Sequence, residues 1–156
     1  MKLKLCAAVL LIAASAATCD VHIDRRTTAN ETVTSQNLRK IRSMLFTYRN
    51  ECGGFPARLQ GLLAPATASE CNVAAKTDSL TKGGNAVIDA ALLQAISAGP
   101  VSGYRYVYAP IEPMTNASTL FLRFTLQASP VESGISGEAQ FLATDSEDVR
   151  SSRKSP

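Results

Sequence analysis

The stretch Cys52-Gly53-Gly54-Phe55-Pro56 constrains the fold of this chain more than any other feature, because it ends a helix and turns the chain. Glycine adopts the left-handed conformation at a helix end at low cost. Proline cannot continue a helix, and it pushes the residue before it into extended geometry. Apolar residues recur every three or four positions before this stretch, and they alternate after Gly103. The sequence therefore predicts a helix, a corner and then strands.

The segment before the corner predicts an amphipathic helix over residues 31–51. Thr28 and Glu31 fit a capping box, which marks a helix start. The apolar positions form one stripe at helical spacing: Val33, Leu38, Ile41, Met44, Leu45 and Tyr48. A second, shorter helix is predicted over residues 87–99, where Gly99-Pro100 ends it.

After Gly103 the pattern has a period of two, which is typical of strands with one buried face. Strands are predicted around residues 104–109, 119–128 and 138–144, joined by short loops. We therefore predict an α+β fold in which a long N-terminal amphipathic helix packs on a three-stranded antiparallel sheet, with the second short helix before the sheet. This domain is predicted to span residues 31–150, and residues 151–156 are expected to form a disordered tail.

The first 18 residues are typical of a secretory signal peptide. Two lysines precede an apolar run over residues 5–17, and small residues follow it. The run is shorter than the roughly 20 apolar residues of a membrane-spanning helix. Residues 19–30 are polar and are expected to form a tether. Cys19 directly follows the apolar run and resembles the lipid-acceptor cysteine of bacterial lipoproteins, while cleavage after Ala16 or Ala17 would release an exported soluble product.

Export places the remaining cysteines in an oxidising compartment. Cys6 is lost with the leader, which leaves Cys52 and Cys71 as one pair. We expect a disulfide between them, which would stabilise the fold by about 3 kcal/mol in the chain-entropy model. A free reactive thiol at Cys52 is disfavoured, since the negative end of a helix dipole raises the pKa of a thiol.

The order of these features resembles the globular headgroups of type IV pilins and of the pseudopilins of type II secretion. The resemblance rests on an amphipathic helix, the turn Gly53-Gly54-Phe55-Pro56 with Leu59 and Leu62 after it, a loop and a three-stranded antiparallel sheet, and it covers about residues 35–150. It implies an accessory role in a pilus or a secretion system of that type. In place of the N-terminal cleavage motif and the long apolar helix of pilins this sequence has a signal peptide, so the resemblance implies the headgroup fold and not filament formation.

Few residues point to chemistry. The single histidine, His22, lies in the polar tether, and neither a catalytic triad nor a zinc motif occurs. Without the leader the charges nearly cancel, so nucleic acid is not an expected partner. We expect no enzyme activity and no cofactor. Two candidate sites remain: a calcium site at Asp145, Glu147 and Asp148, and a ligand or partner surface at Tyr104, Arg105, Tyr106 and Tyr108.

The function predicted from sequence is that of an exported, non-catalytic envelope protein with a structural or protein-interaction role. Its expected partners are other envelope, secretion or pilus proteins, and the membrane through a lipid on Cys19. The alternative is a periplasmic ligand-binding module that uses the strand with the three tyrosines.

Overall fold

The computed structural model describes residues 3–63, 89–115 and 117–153, with residues 3–24, 117 and 118 described by their backbone. Its elements in chain order are helix α1 (Leu3–Cys52), strand β1 (Phe55–Pro56), a 3-10 turn (Leu59–Leu62), helix α2 (Ala90–Ala98) and strands β2 (Tyr104–Met114), β3 (Ala117–Pro130), β4 (Ala139–Thr144) and β5 (Arg150–Arg153). The predicted α+β class is confirmed, with an N-terminal helix, a second short helix and an antiparallel sheet. The prediction of three strands was wrong, because the described sheet has five.

Helix α1 is much longer than the predicted helix over residues 31–51. It includes the whole segment 19–30 that the sequence suggested as a tether. The physical reason is that neither glycine nor proline occurs before Gly53, so no residue strongly opposes helix. Thr28 lies inside the helix and does not begin it. Within the described residues, no helix combines the length and the apolar character that crossing a membrane requires.

The C-terminal half of α1 packs against the sheet through one stripe. Leu38, Ile41 and Leu45 are fully buried, and Thr34 belongs to the same stripe. Val33, which the sequence placed there, is exposed instead. The spacings from Thr34 to Leu38, Ile41 and Leu45 are four, seven and eleven residues, which is the period of a straight helical face. Because Thr34 is polar, the pattern of apolar residues alone does not place it in the buried stripe.

The corner after α1 forms as predicted. Gly53 has a φ angle of +83°, and its N–H donates to the Arg49 carbonyl at 2.7 Å. Phe55 follows in extended geometry and is fully buried. Its ring meets the rings of Phe124 and Phe46 edge-on, with centroids 4.7 and 5.7 Å away. Phe55 thus links the end of the helix to the middle of the sheet.

Strand β3 is the centre of the sheet. It pairs along its length with β2 on one side. On its other side it pairs first with the short strand β1 and then with β4. Strand β5 pairs with β4 and lies at the outer edge. Residues 151–153, predicted as a disordered tail, are therefore part of the sheet. Nothing in their polar sequence indicates a buried face, so the alternating pattern that reveals the other strands is missing here.

Replacing Gly54 by alanine tests the close packing at the corner. A Cβ at Gly54 would lie 2.8 Å from Met114 Sδ, 3.0 Å from Leu120 Cβ and 3.1 Å from the Phe121 carbonyl oxygen. We expect Gly54→Ala to lower the free energy of unfolding by about 1–3 kcal/mol, measured by urea denaturation. Gly99→Ala is the control, because a Cβ there meets nothing within 4 Å. Equal stability of the two variants would contradict the packing described here.

Replacing Thr34 by valine tests the polar position in the buried stripe. The Thr34 side chain is fully buried, and its Oγ1 has no hydrogen-bond partner. Valine has nearly the same shape and no unsatisfied hydroxyl, so Thr34→Val should stabilise the protein by about 1 kcal/mol in urea denaturation. Thr32→Val is a matched control, since Thr32 Oγ1 donates to the Thr28 carbonyl at 2.9 Å in an exposed position. A loss of stability in Thr34→Val would show that the hydroxyl does form a bond.

Candidate functional site

The three tyrosines of β2 lie on the face of the sheet that α1 covers. The Tyr104 hydroxyl is buried and donates to the Ala139 carbonyl at 3.0 Å. The Tyr108 hydroxyl donates to the Pro56 carbonyl at 2.7 Å, and Asn37 Nδ2 donates to the Tyr106 hydroxyl at 3.3 Å. These rings are used for packing and for bonds between elements, so the geometry does not favour the tyrosine ligand platform suggested by the sequence.

Arg105 does not join the tyrosines. It alternates with Tyr104 and Tyr106 along β2 and is exposed, so it lies on the opposite face of the sheet. The proposed contact set of Tyr104, Arg105, Tyr106 and Tyr108 is therefore divided between two faces. The exposed face that carries Arg105 also carries Val107 and, from β4, Leu142.

Burial shifts the ionisation of two of these tyrosines. It raises the pKa of Tyr104 to about 12, and the nearby carboxylate of Glu31 adds to the shift. Burial also raises the pKa of Tyr108 far above its ordinary value, and Tyr48 contributes in the same direction. Both hydroxyls therefore remain neutral donors at physiological pH.

The three acidic residues after β4 point to different arginines. Asp145 Oδ1 lies 3.6 Å from Arg123 Nε, and Glu147 Oε1 lies 3.0 Å from Arg150 Nη2. Asp148 Oδ2 lies 3.9 Å from Arg39 Nε on helix α1. A calcium ion needs several oxygen ligands at one point, and these carboxylates diverge. No group of three His, Cys, Asp or Glu residues suited to a metal occurs in the described part of the chain.

The cysteines are only partly described. Cys52 is buried at the end of α1 and forms a disulfide. Cys71 lies outside the described residues, so its pairing with Cys52 stays a prediction. Cys19 and His22 lie within the span of α1 whose backbone alone is described.

A groove between α1 and the β4–β5 edge is the feature that sequence reasoning missed. It has a volume of about 310 Å³. Phe141 and Ala139 of β4 line its apolar part, and all other lining residues are polar. We call it the α1–β5 groove; its polar lining residues are Glu31, Thr32, Ser35, Gln36 and Arg39 of α1, and Ser151 and Arg153 of β5.

Glu31 joins the helix to the sheet at one end of this groove. Its Oε1 accepts the backbone N–H groups of Glu138 and Ala139 at 2.9 and 3.1 Å. Its Oε2 lies 3.6 Å from Arg153 Nη2. The sequence suggested Glu31 as a helix cap, which was wrong; the carboxylate instead caps the start of β4. Only the polar stripe of α1 on the side of Ser35 and Arg39 hinted at a solvated groove, and that pattern is common on helix surfaces.

The backbone of β5 is open toward one side. The Thr144 N–H donates to the Glu147 carbonyl, which lies on the β5 side of β4. Because backbone groups alternate in direction along a strand, Leu142 and Gln140 also bond toward β5, where their partners are Arg150 and Ser152. The backbone groups of Ser151 and Arg153 therefore point away from the sheet. Among the described strands, β4 alone pairs with β5, so this outer side is an edge of the sheet.

Comparisons with protein-family models, with curated proteins and with solved structures found no match for this chain.

The buried Tyr104 predicts a specific dependence of stability on alkaline pH. A folded-state pKa of about 12 exceeds the ordinary value of 10.0, so the folded protein holds this proton more tightly than the unfolded chain. The contribution of the protonated Tyr104 to the free energy of unfolding is fully present below about pH 10 and is lost as the pH rises toward about 12. We expect the free energy of unfolding, measured in urea, to decline over this interval. The free energy of unfolding of Tyr104→Phe should decline less steeply. Parallel curves for the two proteins would contradict the assignment.

Proposed function

We propose that this protein is exported and serves in the cell envelope as a non-catalytic protein-interaction domain, held at the membrane by a lipid on Cys19. An accessory role in a pilus or a type II secretion-like system is the specific form we favour. The observation that carries the proposal is the uninterrupted helix α1, which joins the leader and Cys19 directly to the buried core.

The length of this helix supports a role in presenting the domain. The first described contact between α1 and the loop before β4 is the bond from Asn30 Nδ2 to the Ser136 carbonyl, at 2.9 Å. Between Cys19 and Asn30 the helix would span about 17 Å at 1.5 Å per residue. A lipid on Cys19 would therefore hold the domain at a defined distance from the bilayer. A flexible tether would allow a wide range of distances instead.

The architecture of the domain also supports the proposal. The C-terminal half of a long N-terminal helix packs on an antiparallel sheet after a glycine-proline corner, which is the order of elements that suggested a pilin-type headgroup. The reactive residue types discussed above are engaged within the domain. Cys52 forms a disulfide, Tyr104 and Tyr108 donate to backbone carbonyls, and the acidic residues after β4 face arginines.

Intact-mass measurement of the mature protein from membranes tests the proposal. We expect a chain that begins at Cys19 and carries the added mass of a lipid, and that gains two hydrogen masses on reduction of one disulfide. Cys19→Ala is the control and should move the protein from the membrane to the soluble fraction. An unmodified chain that begins at Met1 would contradict export, and an unmodified chain that begins after Ala17 would contradict the lipid anchor alone.

The interaction role has its own test. We expect crosslinking in intact cells, followed by purification under denaturing conditions, to retain the same envelope protein in repeated preparations. The Cys19→Ala variant should lose this partner, because the soluble domain no longer stays at the membrane. Recovery of the protein without a reproducible crosslinked partner would overturn the interaction role.

A further inference from the structure

We propose that the α1–β5 groove is the docking site for an extended, acidic segment of a partner protein, which adds to the sheet as one more strand beyond β5. This inference rests on the proposed interaction function and deepens it, because it names the site and the chemistry of the partner. Addition of a strand to an exposed sheet edge is a common way for a domain to bind a peptide.

The backbone of β5 supplies the pairing groups. Ser151 and Arg153 direct their N–H and C=O groups to the free edge, while Arg150 and Ser152 bond to β4. A peptide strand can therefore pair at two positions without breaking any bond of the sheet. All four residues of β5 are exposed, so no described side chain has to be displaced before pairing.

The helix supplies the second wall of the site. Thr32, Ser35 and Gln36 line the groove from α1, opposite Ser151 of β5. Hydroxyl and amide groups can donate to and accept from a peptide. Phe141 and Ala139 add apolar surface on β4. A volume of about 310 Å³ lies at the low end of the ~300–1,000 Å³ range of ligand clefts, which suits a few side chains of a peptide.

The charges of the groove favour a carboxylate. Arg39 and Arg153 are the two cations that line it. Their ion pairs with Asp148 and Glu31 have separations of 3.9 and 3.6 Å, well beyond the roughly 2.7–2.9 Å of a charge-assisted hydrogen bond. Glu31 Oε1 is already occupied by two backbone N–H groups. Both guanidinium groups therefore retain donors for an incoming carboxylate.

Peptide binding to the full-length mature protein in detergent tests this site. The probe is a short fluorescein-labelled peptide of alternating valine and aspartate, followed by fluorescence anisotropy. A peptide with lysine in place of aspartate tests the charge, and one with alternate N-methylated backbone nitrogens tests the strand pairing. We expect saturable binding of the acidic peptide alone. Absence of binding at millimolar peptide, or equal binding of the N-methylated peptide, would overturn the proposal.

Two pairs of variants locate the binding. Arg153→Gln should weaken binding about tenfold through loss of a charge-assisted bond, whereas Arg150→Gln, which removes the same charge on the other face of β5, should not. Ser151→Pro removes an N–H that points to the free edge and leaves the bonds to β4 intact, so it should weaken binding about fivefold. Ser151→Ala keeps that N–H and removes only the hydroxyl, so it should weaken binding less than Ser151→Pro does. Equal effects within either pair would overturn the site.

The same variants separate this inference from the proposed function. If the envelope partner still crosslinks to Ser151→Pro and Arg153→Gln as it does to the parent, the protein interacts through another surface and the groove proposal fails alone. If both variants lose the partner while Ser151→Ala and Arg150→Gln retain it, the groove proposal is supported. If the parent has no partner but binds the acidic peptide with the expected variant pattern, the proposed function fails and the groove remains a peptide site.

Discussion

The contact of Phe55 with Phe124 and Phe46 is the interaction on which the rest of this structure depends. It joins three parts of the chain that are far apart in sequence: the helix, the corner after it and the central strand β3. Arg49 lies 5.2 Å over the Phe55 ring and closes it from the solvent side. The corner can reach this position only because Gly53 has a positive φ angle and Gly54 leaves room for β3. The helix, the corner and the sheet therefore share one buried core.

The same corner determines which edges of the sheet are available. Strand β1 pairs with β3 near Leu120, and β4 pairs with the next part of the same side of β3. Strand β5 pairs with β4 and is therefore the outer strand. Helix α1 packs mainly on β1, β3 and β4, and the residues of β5 remain exposed. The gap between helix and outer strand is the α1–β5 groove. It is thus a geometric consequence of how the core is packed, and Glu31 links α1 to the start of β4 at one end of it through two backbone N–H groups.

Burial explains which parts of the fold could be predicted from the sequence. The stripe of α1, the corner and strands β2, β3 and β4 each place apolar residues at a regular spacing, because each has a face against the core. Strand β5 was not predictable in this way, since its four residues are polar and exposed and its order comes from pairing with β4. The length of α1 was missed because a polar stretch was taken as non-helical. The groove was missed because it needs Glu31 and Arg153, which are distant in sequence and meet only through the fold.

The two edges of the sheet differ in a way that bears on selectivity. Strand β2 carries Pro110 and Pro113, and proline on an edge strand limits pairing with other chains. Strand β5 has no proline; its protection is the charge of Arg150 and Arg153. Two β5 strands that paired edge to edge would bring arginines together, which disfavours self-association. A strand with carboxylates meets no such penalty and gains from both groove arginines. The arginines thus disfavour pairing with a second copy of this edge and favour pairing with an acidic strand. Selectivity requires both a penalty for the wrong partner and attraction to the right one.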